Sequence, residues 1–328
     1  MNTKPDDLQA PWLDMMRTLS LAATVSAASS SGLLAEVMGP LQPAEEYARK
    51  LGLDGRAVHR VLTALAAFGM IQQEENRFGL APTAGLEFLF LPKVVQGLLE
   101  QFAQLPHFLK TGTPIAWMDE SLQQCETTYS QVAADMGRGF AAAAVQLAAK
   151  LDLQPRSILD VGCGSGVWSL AIAARFKDAH VTGLDFPAVV PAFEDRARAL
   201  GCSDRIATLP GNMWELEIPI AQFDLVVLAN VLRLVPAASA GKLVSRLATA
   251  IKPGGRMLLI DAFAHGTPEK NLLNALYSLH LALRTRSGQT HAPAQAIEWM
   301  QSAGFTSVTE IDCGLHIAAI GALLGVHA

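Results

Sequence analysis

Three glycines alternate with other residues in a short segment that could hold a nucleotide-like ligand. Gly162, Gly164 and Gly166 follow an apolar stretch that contains one acid, Asp160. Glycine permits sharp turns and lets a ligand lie directly against the main chain. A second acid, Asp185, follows about 20 residues later at the tip of the next predicted strand, where a carboxylate can accept hydrogen bonds from both hydroxyls of a ribose. The spacing therefore predicts a site for an adenosine-containing ligand.

The glycine spacing separates two classes of such ligand. A dinucleotide fingerprint, Gly-x-Gly-x-x-Gly, requires a glycine where this chain has Val167. S-adenosylmethionine (SAM) needs no diphosphate cradle, but it needs room for a methionine tail that carries an ammonium and a carboxylate. Asp160 would supply a negative charge near the cationic end. The pattern therefore favours SAM over a dinucleotide.

Short apolar segments alternate with helical segments from residue 156 onward. Strands are predicted at 157–161, 180–184, 206–209, 225–229 and 256–260, the last after a helix at 237–251 and a turn at 252–255. Continuous apolar strands separated by helices predict a parallel sheet that is covered on both faces, an α/β Rossmann-like fold. Ligands of such sheets lie at the carboxyl ends of the strands, which is where the glycine loop falls.

Residues before about 90 show a different pattern. Helices are predicted at 12–37, 44–50 and 54–68, followed by hairpin strands at 70–71 and 78–80. Three helices and a hairpin indicate a mostly helical, winged-helix domain. The basic face of its third helix is thin, and Glu74 and Glu75 in the hairpin would repel phosphate. We therefore favour an association domain over a DNA-reading one.

Composition limits the possible partners. The 25 basic and 30 acidic residues give a net charge of −5, which argues against nucleic acid or an anionic membrane as a partner. No apolar run reaches the ~18 residues of a membrane span, and the first residues lack the features of a signal peptide. The four cysteines lie far apart, and no cluster has the spacing of metal ligands. A cytoplasmic, metal-independent protein is predicted.

The order of these motifs resembles that of class I SAM-dependent methyltransferases. The matching segments are 158–166, 183–187, 211–214 and 251–255. Over about residues 10–320, the chain is similar to the small-molecule O-methyltransferase family that has an amino-terminal winged-helix dimerisation domain. The resemblance implies a homodimer, SAM as cofactor and a small-molecule acceptor. It also implies a dimerisation domain at 1–90, a helical linker that roofs the pocket at 91–153, and a SAM-binding domain at 154–328.

The resemblance also implies which residues bind the cofactor. These are Asp160, Gly162, Cys163, Gly164, Asp185, Phe186, Asn212, Met213, Trp214, Ala229 and Asn230. Two positions depart from the family. Asn212 stands where an aspartate is usual, although an amide can both donate and accept. Ala229 replaces a common lysine, so only its main chain can contribute.

The largest departure concerns the catalytic base. Many O-methylating relatives have a histidine, followed by an acid, where this chain has Arg233 and Leu234. A guanidinium, with a pKa above about 12, cannot take a proton from a phenol. In one interpretation, methyl transfer proceeds without a base here, and Arg233 binds an anionic group of the acceptor. The methylated atom is then left open among O, S, N and C. In the other, the fold has lost methylation and serves another reaction or ligand sensing. We favour the first, since the cofactor motifs are nearly intact.

Other polar and apolar residues are candidates for the acceptor pocket. His280 is the best alternative catalytic group, because it lies within an apolar helix. The predicted substrate-binding residues are Trp117, Tyr129, Met136, Arg233, His280 and His291. If Arg233 instead forms a salt bridge within the protein, its expected partner is Asp119, Glu120 or Asp135.

Overall fold

The computed structural model describes residues 6–80, 87–263, 268–311 and 320–328 of the chain. The chain forms two compact units, Met1–Ala103 and Gln104–Ala328. A mostly helical amino-terminal region and an α/β carboxyl-terminal region were predicted, and both are confirmed. The predicted domain limits at residues 90 and 153 stay predictions.

The first unit combines helices with a small antiparallel sheet. Its elements are α1 (Asp6–Ser30), α2 (Leu33–Val37), β1 (Gln42–Pro43), α3 (Ala44–Leu51), α4 (Gly55–Ala67), β2 (Ile71–Glu74), β3 (Arg77–Leu80) and α5 (Glu87–Phe102). The strand order is β1-β3-β2. Tyr47 in α3 ties the helices to this sheet, because its buried hydroxyl donates to the carbonyl of Phe78 at 2.8 Å. Three helices before a hairpin were predicted, and the winged-helix name stays an interpretation of that order.

The prediction of one helix over residues 12–37 is wrong. Helix α1 ends at Ser30 and α2 starts at Leu33, because Gly32 between them has a φ of 79°, which does not continue a right-handed helix. Near its start, α1 leaves large apolar side chains in solvent, and Trp12 and Leu19 are each 61% exposed. The apolar first helix therefore buries only part of its surface within this chain.

The second unit is built on a seven-stranded sheet. Its elements are α6 (Leu105–Thr111), α7 (Leu122–Lys150), β4 (Ser157–Val161), α8 (Val167–Arg175), β5 (His180–Asp185), α9 (Val190–Ala199), β6 (Ile206–Pro210), β7 (Phe223–Ala229), α10 (Ala237–Ala248), β8 (Ile251–Ala262), α11 (Pro268–Ala282), α12 (Pro293–Ser302), β9 (Phe305–Ile311) and β10 (Ile320–His327). The strand order is β6-β5-β4-β7-β8-β10-β9. Strands β4 to β8 are parallel, and β10 is antiparallel to both of its neighbours.

Both faces of this sheet are covered, as the continuous apolar strands predicted. In β7, Leu225 and Val227 pack into the cluster with α7, α8 and α9, whereas Val226 and Leu228 pack into the cluster with α10 and α12. All four are essentially inaccessible to solvent. Alternate side chains of one strand therefore fill two cores, which holds the strand ends in fixed positions.

The predicted turn at 252–255 is instead a bulge inside β8. Phe223 pairs with Ile251 and Leu225 pairs with Arg256, so four residues of β8 oppose one residue of β7. That residue, Asp224, accepts from Lys252 Nζ at 2.7 Å. The ion pair and Gly254, whose φ is 73°, hold the bulge within the strand. The helix that was predicted to reach residue 251 ends at residue 248, because Ile251 already belongs to β8.

Helix α7 lies directly against the glycine loop. Ser121 caps it, because its hydroxyl accepts from the N–H of Gln124 at 3.1 Å. A Cβ atom at Gly137 would lie 1.9 Å from Ser165 Oγ, so only glycine allows this close approach. Within the described residues, no helix combines the length and the apolarity that crossing a membrane requires.

Candidate active site

The glycine loop joins β4 to α8 at the carboxyl edge of the sheet. Gly162, Gly164 and Gly166 have φ values of 67°, 54° and 66°, a region that side chains disfavour. A Cβ atom at Gly162 would lie 2.6 Å from Val231, and one at Gly166 would lie 2.4 Å from Phe193. The sequence therefore needs glycine here for both conformation and space, and it presents bare main chain at the strand ends.

Asp185 lies beside this loop at the end of β5. One carboxylate oxygen accepts from the N–H of Gly164 at 2.7 Å, and the other accepts from the N–H of Phe186 at 2.8 Å. Burial raises the pKa of Asp185, the two N–H groups lower it, and nearby Glu126 raises it further. The main chain thus fixes the orientation of the carboxylate, while each oxygen keeps a lone pair for another donor.

Asp160 occupies a different environment within β4. Its side chain is buried and accepts a hydrogen bond from the hydroxyl of Ser169 in α8. Burial raises the pKa of Asp160 to about 7. The hydrogen bond from Ser169 lowers this pKa in part, and the negative charge of Asp185 raises it further. Asp160 is therefore only partly ionised near neutral pH. Its predicted action on the cationic end of SAM stays a prediction.

The other predicted cofactor residues surround the same edge of the sheet. Asn212 has local partners, because its amide donates to Glu215 at 3.0 Å and accepts from the N–H of Trp214 at 3.0 Å. Met213 offers its carbonyl to Arg246 Nε at 3.2 Å. These contacts make a closed turn after β6.

Cys163 lies in the glycine loop, and Phe186 follows Asp185 directly. The thiol of Cys163 is buried, and burial raises its pKa, so it stays protonated. Phe186 contributes its main-chain N–H to the Asp185 carboxylate, as described above. Neither side chain carries a charge into the loop.

Ala229 and Asn230 end strand β7 next to the loop. Asn230 has a φ of 62° and donates its N–H to the carbonyl of Ile260 at 2.7 Å. Its side-chain oxygen is buried and has no hydrogen-bond partner. Such an atom is costly unless a ligand donates to it. An unmet acceptor beside a bare glycine loop fits the ammonium of SAM, so the residues present suit this cofactor.

Arg233 lies in a short turn just after β7 and is almost completely buried. Its main-chain N–H donates to one carboxylate oxygen of Asp261 at 3.1 Å, and its side-chain Nε lies 3.7 Å from the other oxygen. Its guanidinium carbon also lies 5.3 Å from the ring centre of Tyr277. Burial lowers the pKa of Arg233, but Tyr277, Asp261 and Tyr129 outweigh it, so the pKa is raised overall. Arg233 is a permanent cation.

The three acids predicted as salt-bridge partners of Arg233 do not pair with it. The carboxylate of Asp119 accepts from the N–H of Arg286 at 3.0 Å, Asp135 pairs with Arg138, and Glu120 is exposed. The partner, Asp261, was missed. Its position at the end of β8, the sheet neighbour of β7, was the signal that could have found it.

His280 is close to Arg233 and to a second arginine, Arg284. Burial and both cations lower the pKa of His280 to about 3, so the imidazole is neutral at pH 7. Its Nδ1 is buried without a partner, and its ring lies 5.6 Å from that of Tyr277. Burial raises the pKa of Tyr129, which Arg284 and Arg233 oppose. The structure thus gathers the predicted residues Tyr129, Arg233 and His280 with two residues that sequence reasoning missed, Tyr277 and Arg284.

His291 supports the turn that carries Arg233. Its Nε2 lies 3.0 Å from the carbonyl oxygen of Leu232, and its ring packs edge-on against Trp299 at 5.0 Å. The side chain is 3% exposed, so its predicted substrate contact would require an opening around it.

Trp117 and Met136, the other predicted wall residues, are partly buried. The guanidinium of Arg286 lies over the Trp117 ring at 4.5 Å, and Met136 belongs to α7. Among the described residues, no group of three or more His, Cys, Asp or Glu side chains could hold a metal ion.

The parallel sheet, the three-glycine loop at its carboxyl edge and the acid at the next strand end define a Rossmann-like, class I methyltransferase fold. Comparison with known proteins gives the same class. Residues 106–306 match the family model of the O-methyltransferase domain. The chain belongs to this family and is a SAM-dependent methyltransferase.

Individual relatives cover nearly the whole chain. It is 26% identical over 302 residues to the tetracenomycin polyketide synthesis 8-O-methyl transferase TcmO of Streptomyces glaucescens. The aligned region covers 85% of this chain and 86% of the relative. It is 24% identical over 307 residues to the phenazine-1-carboxylate N-methyltransferase of Pseudomonas aeruginosa, with coverages of 88% and 89%. Human N-acetylserotonin methyltransferase, solved in complex with SAM, has a TM-score of 0.81 at 17% identity, and the match covers 100% of both chains.

Proposed function

We propose that this enzyme transfers the methyl group of SAM to a small molecule held among Tyr129, Arg233 and His280, with no histidine base at position 233. The observation that carries this proposal is the adjacency of two sites at one sheet edge. The glycine loop and Asp185 end β4 and β5, while Arg233 follows the neighbouring strand β7. Relatives named for O- and N-methylation share the family, so the acceptor atom varies within it.

The cofactor would lie along the glycine loop. Bound SAM supplies a methyl group on a sulfonium, which is already activated for transfer. Asp185 would accept from the ribose hydroxyls, since its carboxylate is held in place by Gly164 and Phe186. Asn230 would accept from the ammonium, because its side-chain oxygen lacks a donor. Met213 and Trp214, in the turn after β6, would border the adenine.

Arg233 takes no part in proton removal in this proposal. Its pKa is raised, and Asp261 fixes the main chain of its turn. The cation instead stabilises negative charge on the acceptor, whose nucleophilic atom releases its proton to solvent or arrives already ionised. Proximity to the methyl donor then supplies much of the rate.

His280 orients the acceptor through hydrogen bonds. A neutral imidazole carries one donor and one acceptor nitrogen, and its buried Nδ1 lacks a partner. With a pKa of about 3, it is a weak base, because burial and the positive charges of Arg284 and Arg233 disfavour its protonated form. An anion bound beside those two cations would cancel part of their field and make His280 more basic.

The proposal is tested by incubating the enzyme with SAM labelled in its methyl group and a panel of phenols, amines, thiols and carboxylic acids. We expect label in at least one acceptor together with S-adenosylhomocysteine (SAH). Consumption of an acceptor while SAM stays intact would support another reaction on this scaffold instead. The Asp185→Ala variant is the negative control, because it lacks the proposed ribose contact together with the hydrogen bonds that the carboxylate accepts from Gly164 and Phe186.

We also propose that the first unit forms a homodimer through α1. Its exposed apolar side chains include Trp12, Leu13, Met16 and Leu19, each more than half exposed. Apolar surface of this kind marks association sites. Light scattering at micromolar concentration should give twice the mass of the 34.9 kDa chain. A monomeric mass would contradict the proposal, and Leu19→Glu should shift the equilibrium towards monomer.

A further inference from the structure

Arg284 is a second cation in the acceptor cluster. It lies just beyond the carboxyl end of α11, in electrostatic contact with Tyr277 of the same helix and Tyr129 of α7. Its Nε atom is closed to solvent and has no hydrogen-bond partner, while the side chain as a whole stays partly accessible. Its carbonyl accepts from the N–H of Met118 at 2.7 Å, which anchors the backbone. The guanidinium makes a side-chain hydrogen bond with Tyr277 and has no carboxylate partner among the described residues.

Positive charge exceeds negative charge around this side chain. Asp261 lies 3.7 Å from Arg233 Nε and balances that cation. His280 is uncharged at pH 7. In the part of the chain that the structure describes, no carboxylate lies within ion-pair distance of Arg284. Burial accordingly lowers the pKa of Arg284, which Tyr277 and Tyr129 oppose. Counted over the described residues, the cluster therefore carries one positive charge in excess.

We propose that Arg284 binds a carboxylate of the acceptor, separate from the atom that is methylated; this inference rests on the proposed function. A single surplus positive charge matches a monoanion. The planar guanidinium matches the planar carboxylate better than it would match a neutral amide or hydroxyl. Tyr129 and Tyr277 place aromatic rings beside the charge, which suits a flat, aromatic acid.

The test compares acids with uncharged analogues of the same shape. Benzoate and salicylate, each against its carboxamide, are titrated into the SAH-loaded enzyme and followed by ligand-observed NMR at millimolar concentrations. We expect each acid to bind about tenfold more tightly than its amide, the size of one charge-assisted hydrogen bond. Arg284→Gln should abolish that preference, and Arg284→Lys should keep part of it.

Arg198→Gln is the matched control, since it removes an exposed guanidinium that pairs with Asp195. It should leave the acid preference unchanged. Equal binding of acid and amide, absence of saturable acid binding, or a preference that survives Arg284→Gln would each overturn the inference.

A stability measurement separates substrate binding from a structural role. If the role of Arg284 is to bind an anionic ligand, Arg284→Met should leave the ligand-free enzyme as stable as wild type or more stable, because the variant removes an uncompensated charge. A lower melting temperature in Arg284→Met, with Arg284→Lys restoring it, would mean that the cation is structural.

Failure of this inference can be told apart from failure of the proposed function. SAH affinity is measured in every variant. Loss of the acid preference with normal SAH binding concerns Arg284 alone, whereas a wild-type enzyme that binds no SAH contradicts the cofactor site itself.

Discussion

The two halves of the proposed active site are built in different ways. The cofactor half consists of main chain and one oriented carboxylate. This carboxylate, from Asp185 at the end of β5, accepts a hydrogen bond from the N–H of Gly164 after the adjacent strand β4 at 2.7 Å. The acceptor half consists of side chains from α7, α11, the turn after β7 and the end of β8, with two guanidinium groups and one carboxylate. A local backbone site suits a cofactor that never changes. A side-chain site can be altered one residue at a time to suit another acceptor.

The largest effect is expected from removing one partner of the buried ion pair between Arg233 and Asp261. Arg233→Met leaves Asp261 buried without its cation, and removing one partner of such a pair costs about 3–5 kcal/mol. We expect that loss in the free energy of unfolding by urea titration. The double variant Arg233→Met, Asp261→Asn should recover much of it, since the uncompensated charge is then gone as well. A neutral effect of Arg233→Met would mean that the pair does not hold the turn.

A second variant tests the rigid backbone of the cofactor half. Gly166→Ala combines a left-handed φ of 66° with a Cβ atom 2.4 Å from Phe193. Gly201 is the matched control, because its φ is 65° but a Cβ atom there would meet nothing within 4 Å. Strain at φ is common to both variants, so Gly166→Ala should be less stable than Gly201→Ala by about 1–3 kcal/mol, the cost of overpacking. Equal losses would mean that Phe193 can move away.

The meeting of the glycine loop with Asp185 could be predicted from the sequence, because these residues are local. Gly162 to Asp185 lie within one β-α-β unit, and their order alone indicates their meeting point. The acceptor half could be predicted only in part. Tyr129, Arg233 and His280 were named, but Asp261 and Arg284 were missed, because no spacing rule links positions so far apart in the chain. The bulge in β8 was also missed, since a Pro-Gly-Gly segment is equally typical of a turn.

A further effect should appear in the pH dependence of stability. Asp160 has a pKa of about 7 in the folded enzyme and an ordinary value of 3.8 when unfolded. Between these values the folded state holds the extra proton, so this group lowers stability as pH rises. Asp160→Asn should therefore become more stable relative to wild type between pH 4 and about pH 7, with little further change above. Urea titrations across that range check the slope, and a constant difference would place the carboxylate in a more polar setting.

Calorimetric titration with SAH tests the central claim most directly, because it asks whether the glycine loop and Asp185 hold the cofactor independently of the acceptor half. Two variants are compared with wild type: Asp185→Ala, and the triple variant Tyr129→Phe, His280→Gln, Arg284→Gln. Losing the ribose hydrogen bonds should weaken SAH binding by about 2–4 kcal/mol in Asp185→Ala, at roughly 1.5–3 kcal/mol for each charge-assisted bond and incomplete additivity. The triple variant should bind SAH as tightly as wild type. Unchanged affinity in Asp185→Ala, or an equal loss in both variants, would contradict the account.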